Sequence, residues 1–450
     1  MLVRRALAGV LAAVLLVGLT AQASADNPPV TATATPTPKP PRRVASRAVI
    51  TDVNGQLSVN SDRWQRLVII GPDENVHPAD TTNTTYAIVD TVRLHLVGRE
   101  HTDGVIGVAG IDDQRGLLYL AVSTLPARLT GTGTSYHDYL WIVDLKSGRV
   151  LGRKLFYEGE QESLVGLTTD PASGHVFIVA VRPGSGTYQV MMIEPKTMAT
   201  NIQNLDGIPS LVFDDAPHHR VVVSELVGND ASAVTDLAAF DSSTEKLIWT
   251  HQLQYTELQF LSSTYQATGV KYDPLRLQSW ILAPGGLVTR LNIATGAVDR
   301  NFPLGYTRSD AWKQTGVFAI DMPRGRSYAG WMDSSACYID RTDGAATRHN
   351  FITYTGACGQ ANASLLTVDQ YNGNVVVADT NALRIFSGQT AQLLKTYSLT
   401  DDSGQGSTWV TYDTVHLFGH CRVVLIGDIR HQNDATGALT AGAAVFIPIS

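Results

Sequence analysis

YLWIVDLKSGRVLGRKL, residues 139–155, is the stretch whose reading decides the fold. Apolar and polar residues alternate up to Asp144, Lys146-Ser147-Gly148 makes a turn, and a second strand-like run follows. Period-two alternation on both sides of a short Gly-bearing turn is the signature of a β-hairpin. The same pattern recurs. Lining up YAIVDTVRLHLVGRE, VMMIEPKTMATNIQNL, LAAFDSSTEKLIWTHQL, VTRLNIATGAVDRNFPL, ACYIDRTDGAATRHNFI and LRIFSGQTAQLLKTYSL with it gives seven strand-end anchors. These are Asp90, Asp144, Glu194, Asp241, Asn292, Asp340 and Ser387, at intervals of 54, 50, 47, 51, 48 and 47 residues. A polar acceptor that closes a strand before a Gly/Thr/Ser turn is what a tight hairpin needs.

A second hairpin precedes each copy. It reads as an Asp, a short turn and an apolar run, as in IDDQRGLLYLAV and YDPLRLQSWILAP, with anchors Asp112, Asp170, Asp214, Asp273, Asp321, Asp369 and Asp413. Their repetition marks Asx-type turn capping, because a catalytic group would be needed only once. Two hairpins per roughly 50 residues make a four-stranded unit, and an array of such units is an all-β propeller. Strand-b runs from RLVIIG to RVVLIG favour eight blades, with seven as the alternative if the N-terminal unit is degenerate. The last unit, ending AAVFIPIS, lacks a fourth strand, and RAVITD near the N-terminus is placed to supply it and close the ring.

The segment NVVVADTNALRIFSGQTAQLLKTYSL, residues 374–399, resembles a YVTN-type repeat, from the exported propellers related in shape to quinoprotein and NHL propellers. The likeness extends over most of residues 46–450. It implies the fold far more than an activity, since propellers host enzymes, lectins and scaffolds alike. Gluconolactonase-type propellers hold a metal in the channel on carboxylates and amides, and no such set matches here residue by residue. The Trp-bearing docking motif of quinoprotein dehydrogenases is not visible either.

The chain of 450 residues has 44% hydrophobic and 17% charged residues, with 39 Gly and 19 Pro, a turn-rich globular composition. Residues 1–25 read as a signal peptide: Arg4 and Arg5, a short apolar run, and the cleavage site Ala23-Ser24-Ala25. Residues 26–45 form a Pro/Thr spacer, and residues 46–450 a single propeller domain. The formal net charge is −7. Residues 1–45 carry five basic groups against Asp26, so the propeller carries −11, which argues against nucleic acid and anionic membranes as partners. The expected location is secreted or extracellular, or periplasm and cell wall in a bacterium. The apolar run is too short for an integral membrane span.

In a blade, b–c and d–a connections share one face, and a–b and c–d turns the other. The b–c connections GPDENVHPADTTNTT, TLPARLTGTGTSYHD and DIRHQNDATGALTAG are long and belong to the first, second and last blades, neighbours in a closed ring. The d–a connections on that face are rich in aromatics and amides, and Tyr255, Tyr265, Gln266, Tyr306, Trp312, Gln314, Tyr354 and Trp409 form the candidate binding set. Cys337 opens a strand c and Cys358 follows one hairpin later on the same face, an expected disulfide, with Cys421 on the other face, unpaired.

No H-E-x-x-H, G-x-S-x-G, P-loop or C-x-x-C motif occurs. The acidic loops Asp73/Glu74/His77/Asp80 and Asp401/Asp402 lack EF-hand spacing, so no cofactor is expected, with Ca²⁺ left open. Glu158, Glu160 and Glu162 alternate, and two of them are a candidate acid/base pair of an enzyme. His218-His219 and His416/His420 fall in a–b turns and read as turn residues. The expectation is a monomeric, non-catalytic binder of a protein or carbohydrate partner through the b–c/d–a face. The alternative is an exported hydrolase, lactonase or lyase working at the channel mouth.

Overall fold

The computed structural model describes residues 48–51, 57–71, 84–124, 136–159, 163–182, 185–227, 234–253, 269–273, 275–283, 286–293, 295–305, 314–332, 336–344, 346–354, 365–378, 382–398, 408–418, 422–431 and 441–448. The expected signal peptide and spacer lie outside these residues. The described strands form eight four-stranded antiparallel sheets, the blades of a β-propeller. Blade 1 is built from Leu57–Ser61, Arg66–Gly71, Thr85–Asp90 and His95–His101; blade 2 from Val105–Asp112, Leu117–Thr124, Tyr136–Asp144 and Val150–Gly159. Blade 3 has Ser163–Thr169, Val176–Arg182, Thr187–Ile193 and Thr200–Leu205; blade 4 has Ile208–Asp215, Arg220–Val227, Val234–Asp241 and Leu247–Leu253. Blade 5 comprises Gly269–Asp273, Gln278–Ala283, Leu287–Asn292 and Val298–Pro303, and blade 6 Gln314–Asp321, Arg326–Met332, Cys337–Asp343 and Ala346–Tyr354. Blade 7 is Leu365–Val368, Val375–Ala378, Ala382–Phe386 and Leu393–Ser398. Blade 8 takes Thr408–Phe418, Arg422–His431 and Ala441–Pro448 from the C-terminal end, and Ala48–Thr51 as its outer strand. That last pairing, Ala48 opposite Phe446 through Thr51 opposite Ala443, is the expected joining of the two chain ends.

Burial explains the strand order. First strands of consecutive blades touch one another, which puts them nearest the axis. Second and third strands are buried on both faces: Leu67 to Ile70 and Tyr86 to Val89 are all at most 2% exposed. Such strands read as continuous apolar runs. Fourth strands keep one wet face, and Val150–Gly159 alternates half-buried with exposed positions over most of its length. The cores lie between blades; Trp141 of blade 2, for example, packs with Val68, Ile70 and Tyr86 of blade 1.

The recurrent strand-end acceptors cap their own turns. Asp112 Oδ1 accepts from the amides of Gln114 and Arg115, both at 2.9 Å, and Asp273 Oδ1 accepts from Leu275 at 3.0 Å. On the c–d side Asp90 Oδ1 accepts from Val92 and Arg93, and Asp144 Oδ1 from Lys146. Three anchors differ from the sequence reading. In blade 4 the strand-end position falls on Asp215, which is the register partner of Arg220, so Asp214 is one residue too early. In blade 6 the ladder shifts between Ile339 and Arg341 and the turn follows Asp343, leaving Asp340 inside the sheet. There Asp340 is fully buried and accepts from Trp331 Nε1 at 3.0 Å and from the Asn350 amide at 2.8 Å. In blade 8 the inner strand runs through Asp413 and His416 to Phe418, so neither is a turn residue.

A second layer of contacts ties blade 1 to blade 2, 2 to 3, 5 to 6 and 6 to 7. Three residues after the acceptor, a long side chain reaches into the a–b turn of the following blade. Trp64 Nε1 donates to Asp113 O at 2.9 Å, Arg115 Nη1 to Pro171 O at 2.8 Å, and Arg324 Nη2 to Tyr371 O at 2.8 Å. Arg276 donates to Met322 O and, at 3.1 Å, to Pro323 O. Each of these arginines also pairs with its own turn aspartate: Arg115 with Asp112 at 2.6 Å, Arg276 with Asp273 at 3.0 Å, Arg324 with Asp321 at 3.1 Å. The side chain then lies flat on a glycine of the receiving turn. A Cβ at Gly116, Gly174, Gly325 or Gly373 would meet Trp64, Arg115, Arg276 or Arg324 at 2.7–3.0 Å, and all four glycines have positive φ.

Gly186 supplies a control, since it has φ +65° but nothing within 4 Å of its would-be Cβ. Gly186→Ala should cost about 1 kcal/mol for its backbone alone, and Gly174→Ala about 2 kcal/mol or more, because Arg115 must also be displaced. Chemical denaturation of the two variants measures the difference; equal losses would show that the contact between blades contributes nothing.

Candidate functional site

Connections between strands are strongly asymmetric. The a–b turns 62–65, 113–116 and 322–325 and the c–d turn 91–94 are minimal. The b–c connections 72–84, 125–135 and 432–440 and the d–a connections 254–268, 304–313, 355–364 and 399–407 are all longer, and all leave from the same ends of the sheets. Elaboration confined to one face is the usual mark of a functional surface on a rigid frame.

Of the candidate binding set, Tyr255, Tyr265, Gln266, Tyr306 and Trp312 lie outside the described residues. Gln314 opens the inner strand of blade 6, opposite Trp331, and Trp409 is the second residue of the inner strand of blade 8, opposite Arg430. Both backbones therefore sit at the b–c/d–a end. Tyr354 closes the outer strand of blade 6 opposite Cys337. Its ring is buried, with centroid 5.8 Å from Phe386 and the Arg384 guanidinium 5.2 Å away, so it packs blade 6 against blade 7. Cys337 is buried and disulfide-bonded. Cys358 and Cys421 lie outside the described residues.

The sequence reading missed a carboxylate pair. Glu225 and Asp236 stand directly opposite each other on the second and third strands of blade 4, near this face. Glu225 is 3% exposed, and the Gly207 amide, in the connection from blade 3, donates to its Oε2 at 2.8 Å. Burial pushes the Glu225 carboxyl up, the neighbouring Asp206 and Asp236 add to this, and the Gly207 amide opposes it. Two acids at mirrored positions around the connection 228–233, in SELVGNDASAVTD, were the available signal.

Other candidates resolve into structural roles. Glu158 is exposed on the outer strand of blade 2 and pairs with His137 at 3.1 Å, while Glu160 and Glu162 lie outside the described residues. His218 Nδ1 pairs with the buried Asp215 at 2.9 Å in the a–b turn of blade 4. Among the described residues no three His, Cys, Asp or Glu side chains form a group suited to a metal ion. The acidic loops considered for Ca²⁺ lie outside them.

On the a–b side, Asp214 is crowded by negative charge. Burial first, then the negative charges of Asp170, Asp215 and Asp112, push its carboxyl up to about 8. A carboxyl raised in the folded state binds its proton more tightly there than in the unfolded chain, so this contribution to stability is complete below about pH 4 and is lost as pH rises through about 8. Asp214→Asn should therefore stabilise the protein at pH 8 by about 2 kcal/mol and leave stability at pH 4 nearly unchanged. Denaturant unfolding at the two pH values checks this; an equal effect at both would refute the assigned cause.

The fold and the loop asymmetry define the chain as a β-propeller with one elaborated face. No protein-family model and no curated protein matches it. Solved structures do, among them three propellers. Sqt1 of Saccharomyces cerevisiae has TM-score 0.53 and 10% identity, over 89% of this chain and 96% of its own. BamB from Moraxella catarrhalis has TM-score 0.48 and 11% identity over 88% and 100%, and the Cps50 (Swd1) propeller domain of Myceliophteria thermophila 0.46 and 11% over 78% and 99%. At 10% identity the likeness to Sqt1 speaks for the fold alone.

Proposed function

We propose that this chain is a secreted propeller that binds a protein or glycan partner through its b–c/d–a face and performs no chemistry there. One observation carries the reading: every extended connection leaves from the same end of the eight sheets, while the opposite face keeps turns of minimal length. A rigid frame with one variable face suits recognition, and aromatic and amide side chains on that face suit sugar rings or peptide. The reading includes export by the signal peptide 1–25 and membership of the YVTN-type exported propellers. It also includes a monomeric state, no resident cofactor, and Cys358 as the disulfide partner of Cys337, which would fasten connection 355–364 to blade 6. The pairing of buried Glu225 with half-buried Asp236 favours one alternative, an exported hydrolase, lactonase or lyase.

A glycan array and a lactone panel, run on the exported protein, separate the two. The binding reading expects glycan or protein capture that drops at least tenfold in Trp409→Ala and Trp312→Ala with unchanged melting temperatures. Turnover of a lactone that disappears in Glu225→Gln, with no capture of any glycan or protein, would overturn it.

A further inference from the structure

The outer part of the seam between blades 1 and 2 is pinched at one end and widens toward the other. Near the c–d turns the two blades meet backbone to backbone: a Cβ at Gly98 of the blade 1 outer strand would lie 3.0 Å from Gly148 Cα in the c–d turn of blade 2. Two residues further along that strand stands Glu100, directly opposite Tyr86. Opposed residues share one face of a sheet, and Tyr86 belongs to the core between blades 1 and 2, so both side chains face blade 2. Across the seam Arg153 stands opposite Trp141, which belongs to the same core. The Arg153 guanidinium lies over the indole, 3.7 Å from the ring centroid. The glycine contact thus gives way to a cleft with Glu100 on one wall, Arg153 on the other, and Tyr86 and Trp141 beneath them.

Three polar groups of this cleft lack the partners their chemistry calls for. Tyr86 is fully buried, yet its hydroxyl has no hydrogen-bond partner among the described residues. Glu100 is half-buried and Arg153 exposed, and among the described residues neither forms an ion pair, with the other or with a third group. The contrast is Arg290 of blade 5, which also lies over a tryptophan, Trp280, but is paired with Asp299 at 2.5 Å. Burial first, then the negative charge of Glu100, push the Tyr86 phenol up, and the positive charge of Arg153 opposes them, so both charges act at the hydroxyl. A carboxylate and a guanidinium held apart over a phenol are complementary to a molecule carrying its own cation and anion. A neutral sugar would leave both charges uncompensated, and Arg153 already covers the indole on which a sugar ring would stack. Toward the b–c/d–a end the blade 2 wall continues with Leu155, opposite Tyr139 and 43% exposed, an apolar surface for a hydrocarbon side chain.

We propose that this cleft binds a free α-amino acid with an apolar side chain: its ammonium on Glu100, its carboxylate on Arg153 and the Tyr86 hydroxyl, its side chain against Leu155. The site is built from strands of two blades and holds whether or not the long connections bind a protein or glycan. Calorimetric titration of the full chain with L-leucine and L-phenylalanine tests it, with leucinamide, 4-methylpentanoate and glucose as controls. At least one of the two amino acids should bind saturably. Leucinamide and 4-methylpentanoate, each lacking one of the two charges, should bind at least tenfold more weakly, and glucose not at all. Glu100→Gln and Arg153→Gln should each weaken amino-acid binding at least tenfold, with melting temperatures that show both variants folded. Tyr86→Phe should also weaken it, while the melting temperature of the free protein stays level or rises, because the hydroxyl removed has no bond to lose. No binding of either amino acid overturns the proposal, as does a control that binds as tightly or undiminished binding in Glu100→Gln or Arg153→Gln. A lower melting temperature in Tyr86→Phe overturns it too, since the hydroxyl would then serve the fold.

Discussion

The contact on which the rest of the structure depends is the one between neighbouring a–b turns. A strand-end acceptor such as Asp112 orders its own turn, pairs with the arginine three residues on, and so aims that arginine at a carbonyl of the next blade. Each blade alone is a four-stranded sheet with two apolar faces and cannot stand in water. Burial of those faces between blades provides the driving force, but burial is non-directional. The turn contacts add direction at the junctions of blades 1 and 2, 2 and 3, 5 and 6, and 6 and 7. Their geometry also explains why glycine recurs at Gly116, Gly174, Gly325 and Gly373, where the backbone needs positive φ and the incoming side chain needs the space.

The hairpin rhythm was legible because every blade repeats the same two turns at nearly the same spacing. Where the reading slipped, a bulge or a doubled turn signal was responsible. In blade 6 the irregularity between Ile339 and Arg341 delays the turn from Asp340 to Asp343. In blade 4 two adjacent aspartates offered the same turn signal, and a slip of one residue sends a side chain to the opposite face, which is why Asp214 is an electrostatic burden while Asp215 ends the strand and holds His218. The blade-to-blade contacts went unseen although Asp-x-x-Arg recurs in DDQRG, DPLRL and DMPRG, because each motif completes itself on a partner about 50 residues away.

The functional side chains were harder to read, for a related reason. Aromatic residues in d–a connections are visible as composition, but a ring such as Tyr354 serves packing or recognition according to whether the next blade covers it. Here Phe386 and Arg384 cover it. The Glu225–Asp236 pair lies within runs that read as ordinary strands, and only the register between them brings the two carboxyls face to face.

The outer strand of blade 8 bears on the order of assembly. Within a blade each strand finds its partner across a short turn, but Ala48 must find Phe446 across nearly the whole chain. For an unfolded chain, closing that loop costs about 3 kcal/mol more than closing a hairpin. The four residues Ala48–Thr51 cannot meet this from their own hydrogen bonds, so the pairing becomes favourable only after the intervening blades have folded and brought the ends together. Of the described strands, Ala48–Thr51 is thus the last to find its place, and until it does blade 8 presents an open edge at Ala441–Pro448.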